Sequence, residues 1–195
     1  MDLSTSAVVF LFLTYHLCEA EHRSYNSVLM VSNGGQWGEW GEIEFCPKGH
    51  AYGFSLKVKE MQGLTDDDTS LNGIRLHCST GAVRGRHYHI VFFSFSRLGK
   101  WTKIKECPKG YLVSFVLNVE APQGPSDDTA ANNIRFNCGD GTGLEAMSTD
   151  FGTYGRWSKR CKAGAICGIQ TKVEAYYEHL HDNTALNDVR FFCCD

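Results

Sequence analysis

The chain has 195 residues, of which 43% are hydrophobic, enough for one well-cored domain and too apolar for a disordered one. Its 19 Lys and Arg stand against 22 Asp and Glu for a formal net charge of -3, so no basic field exists to hold nucleic acid or an acidic membrane surface, and neither is expected as a partner. Twenty Gly and twelve Phe, with frequent Val, Ile and Thr, favour an all-β chain with tight turns.

Residues 1–20 read as a secretory signal. Ala7 to Leu17 is mostly apolar, and Cys18-Glu19-Ala20 ends in the small residue that signal peptidase accepts, although the n-region carries Asp2 and no Lys or Arg. The apolar run is too short to span a bilayer and no later stretch reaches that length, so membrane insertion is not expected. Cleavage would remove Cys18 and leave eight of the nine cysteines, an even number that suits a disulfide framework in an oxidising compartment. The expected product is a secreted, extracellular protein with a single domain over residues 21–195.

Beyond the signal, one order of events occurs three times, over about 27–78, 88–138 and 143–194. In the first copy a strand at Ser27–Ser32 leads through Asn33-Gly34-Gly35 to Gly38-Glu39-Trp40 and the turn Cys46-Pro47-Lys48-Gly49. Phe54, Leu56 and Val58 then alternate with polar residues, the period of a strand with one buried face. The copy ends on Asp67-Asp68-Thr69-Ser70-Leu71-Asn72-Gly73-Ile74-Arg75-Leu76-His77-Cys78, where Ile74, Leu76 and Cys78 face one way and Arg75 and His77 the other. The second copy runs from a strand at His89–Phe95 through Gly99-Lys100-Trp101, Cys107-Pro108-Lys109-Gly110 and the inward set Val113, Phe115, Leu117 and Val119 to Asp127-Asp128-Thr129 and Cys138. In the third, Gly155-Arg156-Trp157, Cys161-Lys162-Ala163-Gly164 and Ile169, Thr171 and Val173 precede His181-Asp182-Asn183-Thr184 and Cys193. Thr171 replaces Leu56 and Leu117, so its wall should bury slightly less apolar surface. Arg75, Arg135 and Arg190 recur at intervals of 60 and 55 residues, the mark of a repeat architecture.

The repeat also selects among the 105 pairings that eight cysteines allow. Equivalent places are held by Cys46 and Cys78, Cys107 and Cys138, and Cys161 and Cys193, which predicts one bridge within each copy and leaves Cys167 to Cys194. Each should contribute roughly 3 to 4 kcal/mol by restricting the unfolded chain. No Cys-x-x-Cys occurs, so no metal or other cofactor is expected. A four-stranded sheet with one apolar face is unstable alone, whereas three can turn those faces to a common axis; a three-walled prism with pseudo-threefold symmetry therefore fits best. A β-trefoil is the alternative, but its repeats are usually nearer forty residues and lack an internal disulfide.

Three copies of Gly-x-Trp, a Cys-turn-Gly, an alternating strand and the acidic Thr-x-x-Asn-x-(Ile/Val)-Arg-x-x-Cys segment, closed by Phe191-Phe192-Cys193-Cys194, resemble the vitelline membrane outer layer protein family over essentially the whole mature chain. The resemblance implies a β-prism of three Greek-key sheets, secretion, four disulfides paired as above, and a place in egg coats or other extracellular secretions. It also implies binding or transfer of chito-oligosaccharides, with no defined catalytic residues to carry over. Arg160-Cys161-Lys162-Ala163 departs from the Cys-Pro of the first two copies.

Two groups of residues are candidates for function. Asp67, Asp68, Asp127, Asp128 and Asp182 supply carboxylates for sugar hydroxyls or an ion; because the motif is tripled, its expected role is a structural corner in which Asp closes an Asx-turn and Arg pairs with a carboxylate across the wall. The repeated Trp40, Trp101 and Trp157 are expected to pack, whereas Trp37, in Gly34-Gly35-Gln36-Trp37, stands outside the repeat and is the preferred ligand-facing aromatic. His87 with His89 and His179 with His181 share strand faces but lack a third ligand, and are expected to face solvent. The leading reading is a non-enzymatic structural or carbohydrate-binding protein whose partners are extracellular glycans or glycoproteins. The alternative is an enzyme transferring N-acetylglucosamine oligomers, with the acidic turns or Glu42 and Glu44 as acid and base.

Overall fold

The computed structural model describes residues 23–59, 71–79, 89–94, 99–120, 131–148, 151–174 and 186–195. Among these residues there are strands and turns but no helix. The first copy supplies β1 (Ser27–Leu29), β2 (Glu39–Trp40), β3 (Glu44–Phe45), β4 (Ala51–Val58) and β5 (Leu71–Cys78). The second supplies β6 (His89–Ser94), β7 (Lys100–Trp101), β8 (Lys105–Glu106), β9 (Leu112–Val119) and β10 (Ala131–Cys138). From the third come β11 (Gly143–Glu145), β12 (Thr153–Tyr154), β13 (Ala165–Val173) and β14 (Leu186–Cys194).

These strands form three antiparallel walls, each a path of four. Wall A runs β1-β14-β13-β2, wall B runs β6-β5-β4-β7 and wall C runs β11-β10-β9-β12, with β3 and β8 as short additions beside β13 and β4. The inner faces meet on one axis. Each wall brings to it a cross-strand pair, Phe54 opposite Leu76 in B, Phe115 opposite Phe136 in C, and Ile169 opposite Phe191 in A, and all six are at most 2% exposed. Phe136 contacts the other walls directly, with ring centroids 4.6 Å from Phe54 and 5.1 Å from Phe191. One layer out, Leu56 faces Ile74, Leu117 faces Ile134 and Thr171 faces Val189. Thr171 is buried at the place the alignment assigns it.

The copy in sequence and the wall in space are different units. Every wall is a long hairpin from one copy flanked by edge strands from the next: β7 and β8 of the second copy pair with β4 of the first, β12 of the third pairs with β9, and β1, β2 and β3 of the first pair with the hairpin of the third. The disulfides acquire a meaning that copy-by-copy counting hides. The Cys46 amide donates to the Cys167 carbonyl of wall A while Cys78 ends a wall B strand. Cys107 likewise ties wall B to Cys138 of wall C, and Cys161 ties wall C to Cys193 of wall A. Three bonds that stay within copies thus staple the walls to one another around the axis. The fourth, Cys167–Cys194, lies within wall A.

Register irregularities correct two expectations. Each central strand is offset by a β-bulge near its start, between Ala51 and Gly53, Leu112 and Ser114, and Ile166 and Gly168. An extra residue flips the side chains before it, so Leu112 joins the axial core and Val113 does not. The same place holds Tyr52 in wall B and Cys167 in wall A, so the fourth disulfide is built on a bulge. A second bulge falls on the repeated Asn72, Asn132 and Asn187, each 0% exposed. In the third copy, the counterpart of Gly38-Glu39-Trp40 and Gly99-Lys100-Trp101 is Gly152-Thr153-Tyr154, not Gly155-Arg156-Trp157. Gly38, Gly99 and Gly152 share positive φ angles of 83°, 90° and 78°, and Trp40, Trp101 and Tyr154 occupy matching pairings beside Lys172, Lys57 and Asn118.

Candidate functional site

The long hairpins end at Val58 and Leu71, Val119 and Ala131, and Val173 and Leu186, equivalent places that make up one end of the prism. Against this hairpin end the chain lays the loop Asn33–Trp37. Asn33 donates from Nδ2 to the Leu117 carbonyl of wall C at 3.0 Å, and the Gly35 amide donates to the Asn187 carbonyl of wall A at 2.6 Å. Lys172 donates from Nζ to the Gln36 carbonyl at 2.6 Å. Gly34 lies so close to Asp188 that a Cβ there would overlap its carboxylate, which gives the Gly-Gly pair a packing reason. Burial raises the Asp188 pKa, against the opposing influence of the Val189 amide and the Arg190 and Lys172 charges. Trp37 follows this anchored turn with 61% of its surface exposed.

Trp37 also belongs to a repeated position, contrary to the expectation that it stands alone. It immediately precedes Gly38, as Leu98 precedes Gly99 and Phe151 precedes Gly152. Phe151 is 39% exposed and Met147, four residues earlier, is 85% exposed. Sequence reasoning passed over Phe151 and Met147; the signal that would have found Phe151 is a large apolar residue before the positive-φ glycine in every copy. Between walls B and C, Met147 and Ser148 face Val58, Lys59, Lys100 and Trp101 across a cavity of about 330 Å³. A second hollow, of about 320 Å³, lies by Arg23, Tyr25, Asn26 and Asp195.

The repeated arginines and the edge aromatics form three equivalent clamps. The guanidinium of Arg75 lies 3.8 Å from the Trp101 ring centre, Arg135 lies 3.9 Å from Tyr154 and Arg190 lies 3.8 Å from Trp40. Each clamp holds a borrowed edge strand to its host wall through cation–π attraction. One face of Trp40 and of Trp101 is therefore occupied by protein, which supports the packing role expected of them, whereas Trp157 is 45% exposed. Wall C also shows an ion pair of the anticipated kind, Arg135 Nε to Glu145 Oε2 at 2.9 Å. Tyr154 donates to Glu145 Oε1 at 2.7 Å. Burial would raise the Glu145 pKa, but the Arg135 and Tyr154 hydrogen bonds and the charges of Arg135 and Lys105 outweigh it and hold the carboxyl below its usual range. On wall B, burial and the Arg75 charge push His77 down to about 4, and its Nε2 lies 3.0 Å from Ser55 Oγ.

Trp37 is the one sequence-nominated ligand residue among those described. Asp67, Asp68, Asp127, Asp128, Asp182 and both histidine pairs fall on residues, or side chains, outside the description. The segments bearing the carboxylates connect the hairpin ends just described, and the Asp182 segment leads directly into Leu186 and Asn187, which anchor the Trp37 loop. Glu42, between β2 and β3, and Glu44, on β3, are both exposed. Among the described residues no cluster of His, Cys, Asp and Glu is arranged to hold a metal ion.

Comparison with known proteins decides the family. The model of the vitelline membrane outer layer protein I family matches residues 27–195. The chain belongs to this family. A vitelline membrane outer layer protein 1 homolog of Homo sapiens is 49% identical over 172 residues, and its counterpart in Mus musculus is 46% identical. In both cases the match covers 87% of this chain and 84% of the relative. Among solved structures, Calystegia sepium agglutinin superimposes with a TM-score of 0.55 at 8% identity, covering 87% of this chain and 97% of that one. The Calsepa lectin in complex with a bisected glycan gives the same TM-score and identity over 89% of this chain and 100% of that one. At such identity the likeness is one of fold.

Proposed function

We propose that the protein is a secreted, non-enzymatic, glycan-binding component of an extracellular coat, which offers its hairpin end to N-acetylglucosamine-containing glycans or glycoproteins. The observation that carries this reading is Trp37, an indole 61% exposed on a loop fixed to walls A and C at Asn33, Gly35 and Gln36. A pre-positioned aromatic face meets the apolar side of a pyranose without ordering itself first, which lowers the entropic cost of binding. Asp67, Asp68, Asp127, Asp128 and Asp182 are proposed to supply hydroxyl acceptors around it. The coat reading draws on relatives whose name places them in the outer layer of the vitelline membrane, and four disulfides suit an oxidising compartment. The glycan reading also draws on a fold shared with a lectin solved with bound glycan.

Retention on immobilised chitohexaose tests it. Trp37→Ala should weaken retention roughly tenfold, about 1.4 kcal/mol, while Trp157→Ala leaves it unchanged, and the oligosaccharide ladder should emerge with its chain lengths unaltered. Equal retention by wild type and Trp37→Ala would exclude this surface; a redistributed ladder would favour glycosyl transfer instead.

A further inference from the structure

The edge strands at two corners of the prism are copies of one another with the charges exchanged. On wall A the edge reads Glu39-Trp40-Gly41-Glu42-Ile43-Glu44, and on wall B it reads Lys100-Trp101-Thr102-Lys103-Ile104-Lys105. The aromatic, the isoleucine and all three charged positions coincide, and the structure aligns them by equivalent pairings, Trp40 beside Lys172 and Trp101 beside Lys57, then Glu44 beside Ile169 and Lys105 beside Phe54. Glu39, Glu42, Glu44, Lys100, Lys103 and Lys105 are all exposed, and Ile104 between the lysines is 38% exposed. The third corner, Thr153-Tyr154-Gly155-Arg156-Trp157-Ser158, carries one charge at the matching positions, Arg156, and is followed by Lys159 and Arg160.

From this we infer that the two strips are the faces by which copies of this chain join, the acidic corner of one docking on the basic corner of the next. Within one molecule the strips cannot neutralise each other. They are separated by the four-strand width of wall B, about 14 Å at the spacing of paired strands, beyond the screening length of roughly 8 Å at physiological ionic strength. Equal spacing of the charges lets three opposite pairs form at once across a contact, with Ile43 and Ile104 between them. Lys105 also lies near Glu145, whose charge Arg135 already balances, and Glu106 at the end of the basic strip subtracts one charge from it.

Because the strips occupy different corners, the contact is heterologous, and each copy retains one unused strip of either sign. Such an interface propagates into a ring or a filament instead of stopping at a dimer. This association is independent of glycan binding, and it would give a coat protein cohesion of its own.

Sedimentation velocity on the full secreted chain tests the inference. At about 20 mM salt the average mass should rise at least about twofold with concentration, and at about 0.5 M it should return to that of a single copy, since screening removes contacts between exposed charges. The triple variants Glu39→Lys, Glu42→Lys, Glu44→Lys and Lys100→Glu, Lys103→Glu, Lys105→Glu should each remain single copies at low salt, and an equimolar mixture of the two should associate again. Near-ultraviolet circular dichroism and chitohexaose retention confirm that each variant is folded, and keep a failure of self-association distinct from a failure of the glycan reading. A wild type that stays a single copy at low salt overturns the inference, as does a mixture that fails to associate. Wild-type association that either variant retains also overturns it, as would retention of the lysine strip on an acidic polysaccharide with no self-association.

Discussion

The axis of the prism and its corners have the same threefold plan but obey different rules. On the axis, Phe54, Phe115, Phe136 and Phe191 are fully buried against one another, and every wall must contribute a side chain of nearly fixed volume because close packing tolerates neither a void nor an excess. At the corners, equivalent positions hold Glu39, Lys100 and Thr153, all exposed, where a change of charge costs little stability. Shape is therefore specified by the interior, while the corners are available for whatever the molecule meets.

The hardest blow to this contrast is dealt at the axis. Phe136→Ala removes the ring that touches both other walls and should cost about 3 to 5 kcal/mol in chemical denaturation. Replacing Cys107 and Cys138 together by Ser should cost roughly 3 to 4 kcal/mol, and because that bond joins two walls, proteolysis should cut first along the released seam between B and C. A shallower effect comes from His77. Its folded pKa is about 4 against about 6.5 unfolded, so between these values the unfolded chain binds the extra proton, and the melting temperature should fall as pH drops from about 6.5 to about 4. His77→Asn should flatten that slope. Smallest of all, Arg75→Ala releases one clamp on an edge strand and should cost about 1 kcal/mol, raising hydrogen exchange in Lys100–Trp101 while the axial amides stay protected. An Arg75→Ala loss as large as that of Phe136→Ala would erase the distinction between corner and axis.

Much of this was legible from the sequence because it depends on side-chain period and on repetition. The inward sets Phe54, Leu56 and Phe115, Leu117 and the pairing of all eight remaining cysteines follow from alternation and from matching copies. What misled was geometry that leaves composition unchanged. Val113 alternates correctly with Phe115, yet a bulge hands its inward place to Leu112. Gly155-Arg156-Trp157 imitates Gly-x-Trp three residues late, and backbone conformation, with the Arg135 clamp on Tyr154, reveals the true counterpart at Gly152. The exchange of edge strands between copies is not written in any local pattern, since a strand's partner is settled by long-range contacts. Of the candidate site, Trp37 stands out in the sequence by its glycine-rich setting, while its repeated position is concealed because Leu98 and Phe151 share its apolar character and not its indole.

Wall A has a history that the other two lack. Walls B and C draw on neighbouring stretches of chain, whereas wall A joins residues 27–45 to residues 165–194. During synthesis from the amino end, that first stretch is made early and then waits, unable to pair until the last hairpin emerges. Its companion Cys78 arrives long before Cys193 does, so the bond from Cys46 can tether the waiting segment beside wall B in the interval. The order of translation then becomes an order of assembly, with the oldest strands placed last.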